Sequence, residues 1–404
     1  MNGAPGIGAL AGIRVLDLSR VLAGPWCAQI LGDLGAEVIK VEQPGVGDDT
    51  RAWGPPFLPD SQDSAYFSCA NRNKRSIAVD IASAEGADVI RQLAMRADVV
   101  VENFRVGGLA KYGLDYETLS AAKPDLVWCS ITGFGQTGPD KDRGGYDFLI
   151  QGMSGLMSVT GAADGPPMKV GVPTADLTTG LYAAISILAA LRHRDATGQG
   201  QRIDLALLDA QLAVMSNQAA NWLNGGNPPR RLGNQHPNIV PYQVFACADG
   251  DILIATANDR QWIKLAKVLG LEALAEDARF AMMSGRSAHK DALLGEIEPV
   301  IAQWTSEDLV AALNDAGVPS GRVNTVPEAL SSPQVEARGQ VHSIARSDGS
   351  EVRFVGFPAQ LSATPATYRA APPRAGEDTR AVLGEVLGLD EDAVERLIAA
   401  GAVA

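Results

Sequence analysis

The chain has 404 residues, 46% hydrophobic and 20% charged, with a formal net charge of −13. That length suits two or three folded domains. An acidic chain of this kind has no bulk attraction for nucleic acid or an anionic membrane, so any anionic ligand must be met by a local group of cations.

The segment Met-Asn-Gly-Ala-Pro-Gly-Ile-Gly lacks a basic stretch followed by an apolar one, so no secretory leader is expected. Ile13-Arg-Val-Leu-Asp-Leu18 reads as a buried strand, Trp26 to Leu34 as a helix ended by Gly35, and Glu37-Val-Ile-Lys-Val41 as the next strand. This is a βαβ unit, with a right-handed connection. Ala23-Gly-Pro-Trp-Cys is not G-x-G-x-x-G, so the dinucleotide fingerprint is missing and a different ligand is expected. Further on come a strand at Ser76 to Asp80, a helix near Ala84 to Met95 and a strand at Asp98 to Val101. Arg72, Lys74, Arg75, Arg105 and Lys111 form the basic cluster that phosphate groups would need; the alternative is a solvated charged loop. Asn103-Phe104 follows a strand, where ligands of open α/β sheets bind.

Leu126 to Ile131 is a strand opening into a glycine-rich loop, Gly133 to Gly145, either a lid or a plain connection. One amphipathic helix is expected from Tyr146 to Met157. A Pro-containing loop then delivers Asp176 to the start of a long apolar helix. There an acid serves either as a helix cap or as a nucleophile. An ionised carboxylate needs no general base, and attack on a thioester would give a mixed anhydride. The apolar run Leu181 to Leu191 is shorter than the roughly 20 residues that span a bilayer. A strand from Arg202 to Leu207 and a helix from Asp209 to Leu223 lead to a boundary at Gly225-Gly-Asn-Pro-Pro229.

Beyond it, Tyr242 to Ala246 and Asp251 to Thr256 read as a hairpin, followed by helices near Arg260 to Leu269, Arg286 to Ala302 and Ser306 to Ala316. Pro327 to Gly339 leads out, a second hairpin spans Val341 to Phe357, and two short helices finish the chain. The expected fold is α/β, with a doubly wound Rossmann-like large domain over 1–224, a small α+β domain over 225–330, and a return segment, 331–404, completing the large one. Cys27, Cys69, Cys129 and Cys247 are scattered, which fits a reduced, cytoplasmic protein. The four histidines show no ligand spacing, so no metal is expected. His236, with Gln235 and Tyr242, sits in a loop that either holds shape or meets substrate.

Several stretches together resemble the family III (CaiB/BaiF) CoA-transferases, the formyl-CoA and carnitine CoA-transferase group. They are Leu10 to Leu18, Ala23-Gly-Pro, Leu34 to Glu42, Asn73 to Ser76, Glu102-Asn-Phe104, Gly145-Tyr-Asp147, Asp176 with Thr179-Gly180, and Thr197 to Gly200. The resemblance implies an aspartyl nucleophile at Asp176. It places CoA contacts near Leu22, Ala23, Val79, Asn103, Phe104, Arg105, Lys111 and Arg143, and acyl-site positions at Tyr146 and Asp147. It also implies an interlocked homodimer, CoA as substrate with no tightly bound cofactor, and a small carboxylate as partner. Arg231 to Phe245 and Gly317 to Gly321 look more like the succinyl-CoA:glutarate branch than the formyl-CoA branch. Backbone N–H groups near Gly180 or in the Gln235 loop are the expected oxyanion donors. The rivals are an α-methylacyl-CoA racemase and a catalytically silent CoA-binding protein.

Overall fold

The computed structural model describes residues 8–59 and 61–404. The amino-terminal segment read above for a leader lies almost wholly outside them. The chain divides into two compact units.

The first unit takes in the chain up to Leu156, then Lys169–Asn227 and Arg338–Ala404. Its centre is a six-stranded sheet: β1 (Arg14–Asp17), β2 (Glu37–Glu42), β3 (Lys74–Ala78), β4 (Val99–Glu102), β5 (Val127–Thr132) and β6 (Gln201–Ala206). All pairings are parallel, in the order β3-β2-β1-β4-β5-β6. Apolar residues dominate β4 and β5, and β1 is buried from Val15 to Asp17, as strands covered on both faces require. Alternate side chains go to opposite faces. Val15, Val99, Val101, Val127 and Cys129 pack with helices α1 (Ala23–Asp33) and α4 (Thr174–Thr197). Leu16, Ile39, Ile77, Val100 and Trp128 pack with α2 (Ala84–Arg96) and the two carboxy-terminal helices. The direction of winding reverses between β1 and β4, where ligands of such sheets bind beyond the strand ends.

The second unit comprises Met157–Met168 and Pro228–Ala337. An antiparallel sheet of Tyr242–Cys247, Gly250–Ala255 and Ser320–Arg322 packs through Ile252 and Ile254 onto helices around Trp262, Leu293 and Leu309.

Several elements depart from the sequence reading. The expected helix from Tyr146 to Met157 is two, α3 (Asp147–Met153) and a short one at Leu156–Val159, because Gly155 adopts φ 88° between them. The helix expected from Asp209 to Leu223 divides near Ser216, whose φ is 43°. Ser320–Arg322 is a strand of three residues, too short to carry a readable alternation. Helix α4 runs for 24 residues, well past the apolar run Leu181 to Leu191. By length and composition it is long enough to cross a membrane, and half of its apolar stretch is buried within the fold.

Candidate active site

The turn between β1 and α1 lies at the reversal point of the sheet. Asn103, just past β4, ties it down: its Oδ1 accepts from the Arg20 amide at 2.9 Å and its Nδ2 donates to the Arg20 carbonyl at 2.7 Å. Leu22 and Ala23 follow, both with buried side chains, so only their backbone can meet a ligand here. Phe104 lies under the Arg20 guanidinium, 5.9 Å from its carbon to the ring centre. Val79 is buried beyond β3 and bridges to Val403. Arg105 and Lys111 are exposed, and among the described residues neither has an anionic partner. A cleft of about 110 Å³ opens beyond β4 and β5, lined by Glu102, Arg105, Gly107, Ser130 and Arg202 among others.

Asp176 stands in the first turn of α4 and is not its cap. Asp147, at the start of α3, does the capping: its Oδ1 accepts from the Ala175 amide at 2.8 Å and the Asp176 amide at 3.4 Å. Gln151 braces this acid, donating to Asp147 Oδ2 at 2.7 Å while accepting from the Val170 amide at 2.9 Å. The Asp176 side chain is only 8% exposed, and among the described residues its carboxylate has no cation and no hydrogen-bond donor. Burial, reinforced by the like charge of Asp147, pushes its carboxyl up to about 7. A carboxylate that basic is a stronger nucleophile than an exposed one and is still largely ionised above neutrality.

Gly180 fixes where this helix lies. A Cβ there would come 2.7 Å from the Ala23 carbonyl oxygen and 2.9 Å from Trp26 Cδ1, so α4 touches the first turn of α1 at this point. Asp176 is one turn earlier on the same side of α4, which turns it toward the β1–α1 turn. The Gly180 N–H itself is inside the helical ladder, and the missing side chain serves packing. Tyr66, which the sequence reading passed over, feels both acids, and burial with Asp176 raises its phenol far above the usual range. Its ring lies 5.3 Å from that of Trp53.

Tyr146, a residue 66% exposed, precedes α3. Arg143 is exposed, 2.9 Å from Asp140 and stacked over Phe134 at 5.0 Å. Within the second unit, Gln235 Oε1 accepts from Lys290 at 2.8 Å, and His236 packs on Tyr242 with ring centres 5.1 Å apart. His236 Nδ1 also accepts from the Asn238 amide at 3.0 Å.

The basic cluster breaks apart. Lys74 is buried, and its ammonium donates to Asp17 Oδ2, the Pro25 carbonyl and Asn71 Oδ1, each at 2.9 Å. Burial pushes it down to about 8. Arg72 is buried against Asp33 and lies beside the rings of Phe354 and Tyr368, which touch each other edge to face. Arg75 pairs with Glu385 at 2.8 Å and Glu37 at 3.5 Å. These three cations hold the fold together, and of the five only Arg105 and Lys111 remain open to an anion.

Fold and site together define a doubly wound α/β protein with an acid at its switch point and no dinucleotide fingerprint. The family model described as CoA-transferase family III matches residues 10–379. The chain belongs to that family and is a CoA-transferase, for which CoA thioesters are substrates. It is 49% identical over 388 residues to a succinate–glutarate CoA-transferase of Agrobacterium fabrum, covering 95% of this chain and 97% of the relative. A human succinyl-CoA:glutarate CoA-transferase is 40% identical over 394 residues, 98% and 90% of the two chains. The crystal structure of a CAIB/BAIF family protein from Brucella suis superposes with a TM-score of 0.83 at 48% identity, over 94% of this chain and 99% of the other.

Proposed function

We propose that this protein moves CoA from succinyl-CoA to a small dicarboxylate, with glutarate the first acceptor to test, and that Asp176 carries the acyl group. The observation supporting this most is the Asp176 carboxylate itself, buried and without a cation or donor. In a structural role such a charge would be paired or hydrogen-bonded.

The steps balance without a cofactor. Asp176 attacks the thioester carbonyl, the C–S bond breaks, and a mixed anhydride forms with release of CoA thiolate. The thiolate attacks the aspartyl carbon of the anhydride and displaces succinate, leaving an aspartyl-CoA thioester. The acceptor carboxylate attacks that thioester, giving a second anhydride and thiolate again. Attack of thiolate on the acceptor's acyl carbon then yields the new CoA ester and frees Asp176. Burial keeps water from both anhydrides. Arg105 and Lys111 meet the phosphates of CoA, and the backbone at Leu22–Ala23 and Asn103–Phe104 holds its chain, as the family resemblance implies. Tyr146, Asp147 and Tyr66 border the acyl group.

A second copy of the chain completes the molecule in this reading. Leu181, Tyr182, Ile185 and Leu188 leave an apolar stripe exposed on α4, with Ile185 at 60%, and Leu223 is 77% exposed. Four free cysteines accord with a cytoplasmic location. The test is the initial rate of glutaryl-CoA formation from succinyl-CoA and glutarate. Transfer that is lost in Asp176→Ala supports the reading; full transfer by that variant refutes it.

A further inference from the structure

Behind the β1–α1 turn, four charged side chains with no part in the transfer steps are buried together: Asp17, Lys40, Asp48 and Lys74. Lys74 pairs with Asp17 and Lys40 with Asp48, each at 2.9 Å. A buried pair of this kind adds little net stability over apolar residues of the same size. What these charges do hold is backbone. Asp17 Oδ1 accepts from the Ser19 amide at 3.0 Å and from its hydroxyl. Lys40 Nζ donates to the Ser19 carbonyl at 3.0 Å. Asp48 accepts from the Val21 amide at 3.3 Å, and Lys74 donates to the Pro25 carbonyl at 2.9 Å.

Val21 explains the need for so many clamps. Its φ is 72°, a left-handed conformation that a β-branched residue adopts only when its surroundings enforce it. Residues from β2, β3 and the end of β4 converge on this turn, which leads directly into Leu22 and Ala23.

We propose that Lys40 and Asp48 are positioning residues for CoA transfer, acting through Val21 to lock the Ser19–Leu22 turn in the form that presents the Leu22–Ala23 backbone to the CoA thioester. This rests on the reading above that the backbone there meets CoA. Neither side chain touches substrate. Their effect is on how often the turn is in the binding form, so they govern KM more than kcat.

Hydrogen exchange on the wild-type protein without ligand is the first measurement. The Arg20 and Val21 amides are expected to exchange on the order of a hundredfold more slowly than an open loop amide; exchange at the open rate overturns the proposal. Lys40→Met and Asp48→Ala are each expected to lose that protection at the Val21 amide and to raise KM for succinyl-CoA roughly tenfold, with kcat changed much less. Adding Val21→Gly to Lys40→Met is expected to restore KM, because glycine takes the left-handed turn unaided. A general loss of stability would not be repaired by that change. Folded variants with wild-type KM, or a double variant that stays impaired, overturn the proposal. Should neither single variant fold, the wild-type exchange decides. Should no acid be esterified at all, the functional reading fails separately, and the affinity of the same variants for CoA by calorimetry still tests the clamp.

Discussion

Asp147 caps the helix that carries Asp176, its Oδ1 2.8 Å from the Ala175 amide and 3.4 Å from that of Asp176. One acid thus fixes the position of the other and raises its proton affinity at the same time. The two effects separate experimentally, because asparagine retains an acceptor oxygen for the cap and loses the charge.

The raised carboxyl has a cost in stability with a definite sign. A value of about 7 in the fold, against the ordinary 3.8, means that the folded chain holds this proton between about pH 4 and 7 while the unfolded chain does not. Stability from this group is greatest below pH 4 and falls as pH rises through 7, by about 4 kcal/mol at full effect. Asp176→Asn is therefore expected to melt higher than the wild type at pH 8 and to match it near pH 4. Calorimetric melting across that range checks this.

The same shift sets the acid limb of the reaction. With an ionised Asp176 required, kcat/KM is expected to fall as pH drops below about 7, far above an ordinary carboxyl. In Asp147→Asn the limb is expected to move to lower pH, since burial then acts without the like charge. Initial rates over a pH series, with circular dichroism to confirm folding, decide it.

Lys74→Met leaves Asp17 buried without its partner and is expected to cost about 3–5 kcal/mol in chemical denaturation. Arg105→Ala and Lys111→Ala are expected to change stability by less than about 0.5 kcal/mol. Each of the two should instead raise KM for the CoA thioester roughly tenfold, with an effect that shrinks in high salt.

At Gly180 the prediction is steric. Gly180→Ala puts a methyl group 2.7 Å from the Ala23 carbonyl oxygen, so α4 must shift on α1, at about 1–3 kcal/mol. Transfer is expected to fall further than that loss alone explains, because Asp176 moves with the helix. Rates measured well below the melting point separate the two effects.

Much of this was legible in the chain. The runs at Ile13 to Leu18 and Leu126 to Ile131 are the strands they suggest. The misreadings share one physical cause, since charge in a sequence does not say whether it faces water. Lys74 and Arg72 read as ligand-binding cations, yet their partners Asp17 and Asp33 lie 57 and 39 residues away. A signal was present in Lys40 and Asp17, charges flanked by apolar residues within strands, which must be paired if buried. Gly180 read as lying near an oxyanion donor, and its missing side chain makes room for a neighbouring helix. Tyr66 had no local signal, because its nearness to Asp176 exists only once the chain is folded.

The most direct test is to mix the protein with succinyl-CoA, quench in acid within one turnover, and locate any covalent adduct by peptide mass. A CoA thioester on the peptide containing Asp176, absent in Asp176→Asn and discharged by adding glutarate, is the predicted result. Transfer at the full rate with that peptide unmodified, or with the adduct on another side chain, would contradict the account.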